Sequence, residues 1–483
     1  MIAHVLRRLG CGASAADLAS YAGLSPTALI NQLLDYERAP DDVDARIGQG
    51  GHLGVTPTQR NEPFSPNTNL NDARQRWVFR LVHSRRPLQE KMALFWHNHF
   101  ATGHSKVAAA VTPAQATKMM AGKPGEIPGS QRGQIETFRQ MALGSFRDLL
   151  VEVARDPAML VWLDGRQNTR QNPQENFARE LMELFTMGVG TFTEDDVKSA
   201  ARVFTGWSIR LVGDRADPAT SYYEFVFNQG QHDTAAKDFS FPIPAVGGQS
   251  IPARAASQGQ QDGVDLIDAL ARHPLTAARL ARKLYAFFID EVHAPDEGLI
   301  AAAASAYLGG NLSIRALLQR LLQAPQFLSG ALTHTHYSWP AEFVARAIRE
   351  TGAVGLSASN TLTPMANMGQ ALYEPRNVSG WATGPAWFST ATTLARMNFA
   401  ATLMTSQKAA LAAEARPHAA TPERLLDYLV ARYEPAPLSG DAYGGLLEYL
   451  RDGGAWTGSD AQVATKTAGL ARLIIGSSEY QFS

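Results

Sequence analysis

The sequence predicts a mainly α fold, a large multi-helix domain with one small β-hairpin insertion. Apolar residues recur at helical spacing through most of the chain. Helix-capping residues precede many of these apolar runs, and only one region alternates in the manner of strands. At 483 residues, 45% of them hydrophobic, the chain can bury the core that such a domain needs.

The densest helical signals lie in the segment Asn172–Trp207. Asn172 is a candidate N-cap for a first helix, which the glycines at 188 and 190 end. Thr193 caps a second helix, whose acidic first turn suits the helix dipole. The segment therefore predicts two consecutive capped helices, and we expect it to form one wall of a site.

The same periodicity predicts helices along the rest of a single domain that spans residues 1–483. These helices cover residues 2–9, 14–21, 25–34, a run from 72, and 87–100, 135–155, 263–271, 274–288, 295–308, 313–322, 339–351, 390–406, 422–433, 440–451 and 459–476. Pro-, Gly- and Asn-rich stretches interrupt the pattern, and they predict loop excursions near 38–72, 208–262 and 352–389.

The second excursion contains the strand signal. Aromatic residues alternate at 223, 225 and 227, and they alternate again at 239 and 241. A turn at Asn228–Gly230 separates the two runs. This pattern predicts one β-hairpin inserted in a helical chain.

Composition limits the classes of partner and location. The net charge of −1 gives no electrostatic reason to expect nucleic acid as a partner. The single cysteine, Cys11, excludes an internal disulfide framework and a Cys-rich metal site. No apolar run is long enough for a transmembrane segment, and no secretory signal opens the sequence. As written, the chain is expected to be cytoplasmic, or periplasmic or exported if a signal was removed.

Several motifs in this order resemble the bacterial domain-of-unknown-function family eighteen hundred. They are HVLRRLGCGAS, FWHNHFATG, ENFARELMELFTMGVGTFTEDDVKSAARVFTGW, HPLTAARLARKLYAFF and GQALYEPRNVSGW, and they span nearly the whole chain. The resemblance implies a helical fold and frequent export, often with a twin-arginine signal. It also implies a phosphatase- or sulfatase-like protein encoded nearby as a partner. Gln174 departs from the family's usual Asn, and the missing export signal puts a periplasmic location in doubt.

Four polar side chains form a stripe on the first helix of the central segment. Asn176, Glu180 and Glu183 follow at spacings of four and three, with Arg179 alongside. Two carboxylates that face one direction are candidates for acid–base catalysis or for binding a cation, with Asn176 and Arg179 as substrate-binding groups. An ion-pair network in which Arg179 neutralises one glutamate is the structural alternative.

The motif FWHNHF supplies two candidate catalytic histidines. Residues two apart on a helix point in different directions, so His97 and His99 do not form the chelate of an HExxH motif. We expect His99 on the apolar face, as a core histidine bonded to a glutamate of the central helix, and His97 on the free side. A divalent metal is a candidate cofactor, with no ligand set identified.

Two further groups are candidate site residues. His232 and Asp233 (catalytic) and Lys237 (substrate-binding) follow the hairpin turn, where an Asp also commonly bonds its own backbone. A loop rich in Gly and Pro near the C-terminal third offers aromatic, amide and guanidinium groups of the kind that bind sugars. Large aromatic side chains more often pack such a loop against the core. Its candidates are Asn377, Trp381, Trp387, Arg396 and Asn398.

Two interpretations of function follow. The first is an enzyme, a candidate hydrolase or metal-dependent enzyme, that acts on a saccharide or a sulfated or phosphorylated ester. Its cleft would lie between the central helix, the 95–100 helix end and the 377–398 loop. The second is a non-enzymatic helical protein that binds the phosphatase- or sulfatase-like protein or a cell-surface polymer. P-loop, dinucleotide, GxSxG and kinase motifs are absent from the sequence.

Overall fold

The computed structural model describes residues 1–353 and 355–483, without the side chains at positions 130, 408 and 409. The protein is mainly α-helical, and its strands form two small antiparallel sheets. The predicted fold class is therefore confirmed. The third predicted excursion, 352–389, includes residue 354, which lies outside the described residues; around that position the stretch contains one short helix and one 3₁₀ turn.

Helices account for most of the first half of the chain. They are α1 (Ile2–Leu9), α2 (Ala15–Tyr21), α3 (Pro26–Leu34), α4 (Leu70–His83), α5 (Pro87–His99), α6 (His104–Ala110), α7 (Pro113–Ala121), α8 (Gln134–Gln140), α9 (Phe146–Arg155), α10 (Pro157–Trp162), α11 (Glu175–Glu180) and α12 (Glu194–Val203). The turn that continues α11, Leu181–Phe185, is π-helical.

The second half of the chain continues the helical pattern after the strands. Its helices are α13 (Gln260–Arg272), α14 (Pro274–Phe288), α15 (Glu297–Gly309), α16 (Ile314–Leu322), α17 (Pro325–Leu328), α18 (Pro340–Thr351), α19 (Ser359–Asn367), α20 (Thr390–Ala415), α21 (Pro422–Tyr433), α22 (Gly440–Arg451) and α23 (Asp460–Gly476).

The β insertion between α12 and α13 contains two hairpins, where the sequence predicted one. Strand β1 (Trp207–Val212) pairs with β2 (Tyr222–Phe227), and β3 (Lys237–Ile243) pairs with β4 (Gly248–Ile251). The two alternating runs are thus strands, but each pairs with a neighbour whose alternation is weak. The connection between β2 and β3 instead carries His232, which is buried and contacts Asp262 of α13.

Helix α5 runs through the core and is buried on nearly every side. Its two charged residues are neutralised there: Glu90 pairs with Arg80 and Arg139, and Lys91 lies 2.9 Å from Glu342. Removing one partner of such a buried pair leaves a charge without compensation, which typically costs about 3–5 kcal/mol. The pairs therefore fix α5, and with it the position of its C-terminal end.

The caps of the central segment are partly as predicted. Thr193 and Asp196 form a capping box at the start of α12. Asn172 does not cap α11, which begins at Glu175, so that prediction is wrong. The N-cap residue is Gln174, whose side chain makes no capping bond, and the side-chain oxygen of Asn168 accepts from the main-chain N–H of Gln174 at 2.9 Å.

Among the described residues, no helix is both long and apolar enough to cross a membrane. The longest one, α20, covers 26 residues, and it has polar side chains along its length.

Candidate active site

A cavity of about 550 Å³ opens where the C-terminal end of α5 meets α14. This volume is within the range of small-molecule sites. The cavity is lined by Phe95, Asn98, His99, Arg282, Lys283, Tyr285, Ala286, Phe287, Asp290, Glu291, His293, Pro295, Trp339, Thr383, Gly384 and Pro385. Two of the three walls predicted from the sequence, the 95–100 helix end and the 377–398 loop, therefore meet here. The third wall is α14 instead of the central helix.

His99 is buried beside this cavity, with both ring nitrogens engaged. Its Nε2 lies 3.0 Å from the carbonyl oxygen of Phe185, and its Nδ1 lies 3.0 Å from the Nζ of Lys283. Burial, reinforced by the charge of Lys283, lowers the pKa of His99 well below its usual range. The neutral ring must donate from Nε2, because a carbonyl can only accept, so Nδ1 is the acceptor for the lysine.

The π-helical turn Leu181–Phe185 supplies the carbonyl that holds His99. The last carbonyls of a helix have no partner within the helix and need donors from elsewhere. Here the N–H of Gly188 bonds to Met182, Arg279 bonds to Leu184 at 3.3 Å, and His99 bonds to Phe185. The central segment thus contributes main-chain oxygen atoms to the site. π-Helical turns that occur within α-helices are frequent at functional sites.

Lys283 lines the cavity and contacts His99. Within the described residues, it forms no ion pair with a carboxylate. Burial, and then the positive charge of Arg279 one turn earlier on α14, lower its pKa from 10.5 to about 7. The amine is therefore close to half neutral near pH 7, and its contact with His99 orients it.

The carboxylates around the cavity are already paired. Glu291 accepts from the N–H groups of Tyr337 and Gly384, and it lies 2.7 Å from His336. Burial would lower the pKa of His336, but the carboxylates of Glu342 and Glu291 on either side raise it. Glu291 is thus engaged by donors other than Lys283.

Asp290 is satisfied by its own turn. It accepts from the main-chain N–H groups of Val292 and His293, and it lies 2.9 Å from the His293 ring.

Two side chains nearby present donors to the cavity. Arg282 is exposed at the rim, where it pairs with Glu297 at 2.5 Å. Asn98 uses its Oδ1 to accept from the N–H of Trp381 at 2.6 Å, so its amide nitrogen is left to donate.

A family model described as a protein of unknown function (DUF1800) matches residues 4–482. The chain belongs to the DUF1800 family. No curated protein and no solved structure matches it. The resemblance of this DUF1800 protein noted in its sequence is thereby confirmed.

The predicted stripe on the central helix of this DUF1800 chain does not line the cavity. Arg179 pairs with Glu194 and Glu175, on the exposed side, and not with Glu180 or Glu183. Asn176 donates to Asp164 at 3.0 Å.

The two remaining glutamates of the stripe are not engaged. Glu180 and Glu183 are half-buried, and neither makes a hydrogen bond or ion pair with a described side chain. Burial, and then the neighbouring Glu183 charge, raise the pKa of Glu180. Arg179 therefore belongs to an ion-pair network, as in the structural alternative, but its partners are Glu175 and Glu194. Glu180 and Glu183 form no ion pair within the described residues.

The expectation that His97 would be the free histidine is wrong. Its ring is fully buried, and neither nitrogen has a hydrogen-bond partner among the described residues. Trp77, Tyr373 and Trp381 surround it, and burial lowers its pKa to about 3. His99 is the core histidine that was expected, but it bonds to a carbonyl of the central segment instead of a glutamate.

The hairpin residues form a buried structural cluster. Asp262 on α13 is fully buried and lies 2.5 Å from Lys237, 3.2 Å from His232 and 2.9 Å from Arg254. Asp233 pairs with Arg202 at 2.8 Å. These contacts hold the β insertion onto α13, and none of these residues lines the cavity.

The 377–398 stretch is mainly packing, as the sequence favoured. Trp381 and Trp387 are buried, and Arg396 lies fully inside, bonded to Gln481 and Ser338. Asn377 closes a turn by accepting from the N–H of Ser379, while Asn398 is exposed on α20. Only the short piece Thr383–Pro385 reaches the cavity.

Sequence reasoning missed Lys283, Asn98, Asp290, Glu291 and His293. The sequence did contain a signal for Lys283, which is a charged residue between Leu280 and Phe287 on the apolar face of α14.

The described residues contain no group of three His, Cys, Asp or Glu side chains that could hold a metal ion. Cys11 is buried, which raises the pKa of its thiol to about 12 and makes it unreactive.

Proposed function

We propose that this protein is an enzyme that acts on a polar substrate in the α5–α14 cavity, with Lys283 as the acid–base group. One observation carries the proposal: the Lys283 amine lies in an open cavity, 3.0 Å from the acceptor nitrogen of His99, without a carboxylate partner in the described structure. A structural lysine is usually exposed or paired.

The pKa of Lys283, about 7, suits proton transfer at neutral pH. His99, held by Phe185, orients the amine by accepting a hydrogen bond from it. Asn98 and Arg282 offer donors to the oxygen atoms of a substrate. A saccharide or a sulfated or phosphorylated ester provides such oxygen atoms, and hydrolysis of an ester or glycoside needs the proton transfer that Lys283 can perform.

The proposal is tested with chromogenic p-nitrophenyl phosphate, sulfate, acetate and glycosides. We expect turnover of at least one of them, with kcat/KM lowered about 100-fold or more in Lys283→Met. The matched control is Lys198→Met, because Lys198 is exposed and paired with Asp195. Turnover that Lys283→Met leaves unchanged, or turnover of none of these compounds, would overturn the proposal.

A second candidate function is binding of a protein partner, such as the phosphatase- or sulfatase-like protein, or of a cell-surface polymer. It is favoured by three exposed apolar side chains on the packed helices α20 and α23: Leu394 (55% exposed), Met397 (43%) and Leu473 (39%). We rank it second because this function requires the polar stripe of the central helix to be fully paired, and Glu180 and Glu183 are not. Leu394→Asp should abolish partner binding and leave turnover intact.

A further inference from the structure

We propose that Lys283 forms an imine with the carbonyl carbon of an aldehyde or ketone substrate, such as the open-chain form of a saccharide or saccharide phosphate. The inference rests on the proposed function, which locates the site in the α5–α14 cavity, and it narrows the substrate to aldehydes and ketones. It starts from the geometry of the amine, which contacts His99 on one side and the cavity on the other.

The surroundings of Lys283 keep its amine available as a nucleophile. From α14, Arg279 contributes positive charge, while Arg282 is exposed and paired with Glu297, and from α5, His99 contributes a neutral acceptor. Asp290, Glu291 and His293 line the same cavity, but the two carboxylates are held by other donors. An amine that is desolvated, close to another cation and not ion-paired is the form of lysine that attacks carbonyl carbons.

The cavity walls also suit this reaction. Phe95, Phe287 and Trp339 line it, so much of its surface is apolar. A volume of about 550 Å³ admits a substrate of monosaccharide size. Because imine formation releases water, a site with apolar walls favours the product over its hydrolysis.

The step balances with the groups present. The Lys283 nitrogen bonds to the carbonyl carbon, and the C=O π electrons pass to oxygen. The nitrogen then loses a proton to Nδ1 of His99, while its other proton and the one from His99 leave with the oxygen as water. The amine and the carbonyl compound thus give an imine and one water molecule, without an oxidant or reductant.

His99 holds that proton only in passing, because burial and the charge of Lys283 keep its pKa well below the usual range. When Nδ1 is protonated, the Nε2–H remains bonded to the Phe185 carbonyl, and a hydrogen bond from a charged donor is the stronger one. The bond to the π-helical turn therefore offsets part of the cost of the imidazolium that forms transiently.

The test uses glyoxylate as a probe, with sodium cyanoborohydride to reduce any imine at pH 7, and mass spectrometry of the peptides. We expect Lys283 to be modified about tenfold faster, or more, than the exposed Lys198. Lys283→Met should lose only this site, and His99→Phe should slow its modification. Modification of Lys283 no faster than that of Lys198 would overturn the inference.

The outcomes separate this inference from the proposed function. If Lys283 is not trapped but Lys283→Met abolishes turnover of the chromogenic compounds, the acid–base function stands and the imine does not. If Lys283 is trapped selectively and no chromogenic compound is turned over, the imine stands and ester or glycoside hydrolysis is excluded.

Discussion

The Nε2 of His99 donates to the main-chain carbonyl oxygen of Phe185 at 3.0 Å, and these residues lie 86 positions apart in the chain. The contact decides which nitrogen of the ring faces Lys283. It also explains how the central segment contributes to the site, since a carbonyl of its π-helical turn, and not its carboxylates, fixes the tautomer of His99.

His99→Phe should lower the free energy of unfolding by about 1–3 kcal/mol, since it leaves the buried Phe185 carbonyl without a donor. His97→Phe is the matched control two residues away. That ring makes no hydrogen bond with the described residues, so the replacement should be neutral or stabilising. Urea unfolding of both variants measures the difference, and equal losses would contradict the assignment.

Lys283→Met should change how stability depends on pH. The pKa of Lys283 is 10.5 in the unfolded chain and about 7 in the folded one, so between these values the unfolded state binds more protons. The stability of the wild type should therefore rise, relative to the variant, by about 1.4 kcal/mol per pH unit from pH 7 towards 10.

Denaturant unfolding at pH 6, 7, 8 and 9 measures this slope. Lys198→Met is the control, because the ion pair with Asp195 raises the pKa of the exposed Lys198. Parallel curves for the wild type and Lys283→Met would show that the lysine amine has an ordinary pKa.

Glu180→Gln should leave the protein folded, with its stability changed by no more than about 0.5 kcal/mol at pH 7. The raised pKa of Glu180 means that its charged form is disfavoured in the folded state, so any change should be a small gain. Thermal unfolding measures the stability of the variant, and glyoxylate trapping measures whether Lys283 is still modified. Loss of Lys283 trapping in this variant would place Glu180 in the site after all.

Asp262→Ala should destabilise the protein by about 3–5 kcal/mol, because the buried Lys237 would lose its carboxylate. Asp233→Ala, which removes the half-buried partner of Arg202, should cost less. Urea unfolding ranks the two. A larger loss for Asp233→Ala would refute the view that Asp262 anchors the β insertion.

The features that the sequence predicted correctly depend on residues that are close together in the chain. The capping box of Thr193 and Asp196 and the alternation of β2 and β3 are local patterns, and the structure contains both. The predicted cap at Asn172 is absent because α11 begins only at Glu175, with Gln174 in the N-cap position. The strands were recognised, but their partners depend on how the insertion packs on α13.

The site depends on contacts between distant residues, which periodicity cannot supply. His97 was assigned to a free face because a helix normally has one, but α5 is buried all round, so both histidines are in the core. Lys283 and His99 are 184 residues apart, and nothing in either motif alone indicates that they meet.

The pH dependence of Lys283 reactivity tests the central claim most directly. Trace acetylation with acetic anhydride from pH 6 to 11, followed by peptide mass spectrometry, gives an apparent pKa for each lysine. We expect a midpoint for Lys283 near 7, and one for Lys198 at or above the usual value of 10.5. A midpoint for Lys283 near that of Lys198 would contradict the reactive amine on which the proposed function and the imine both depend.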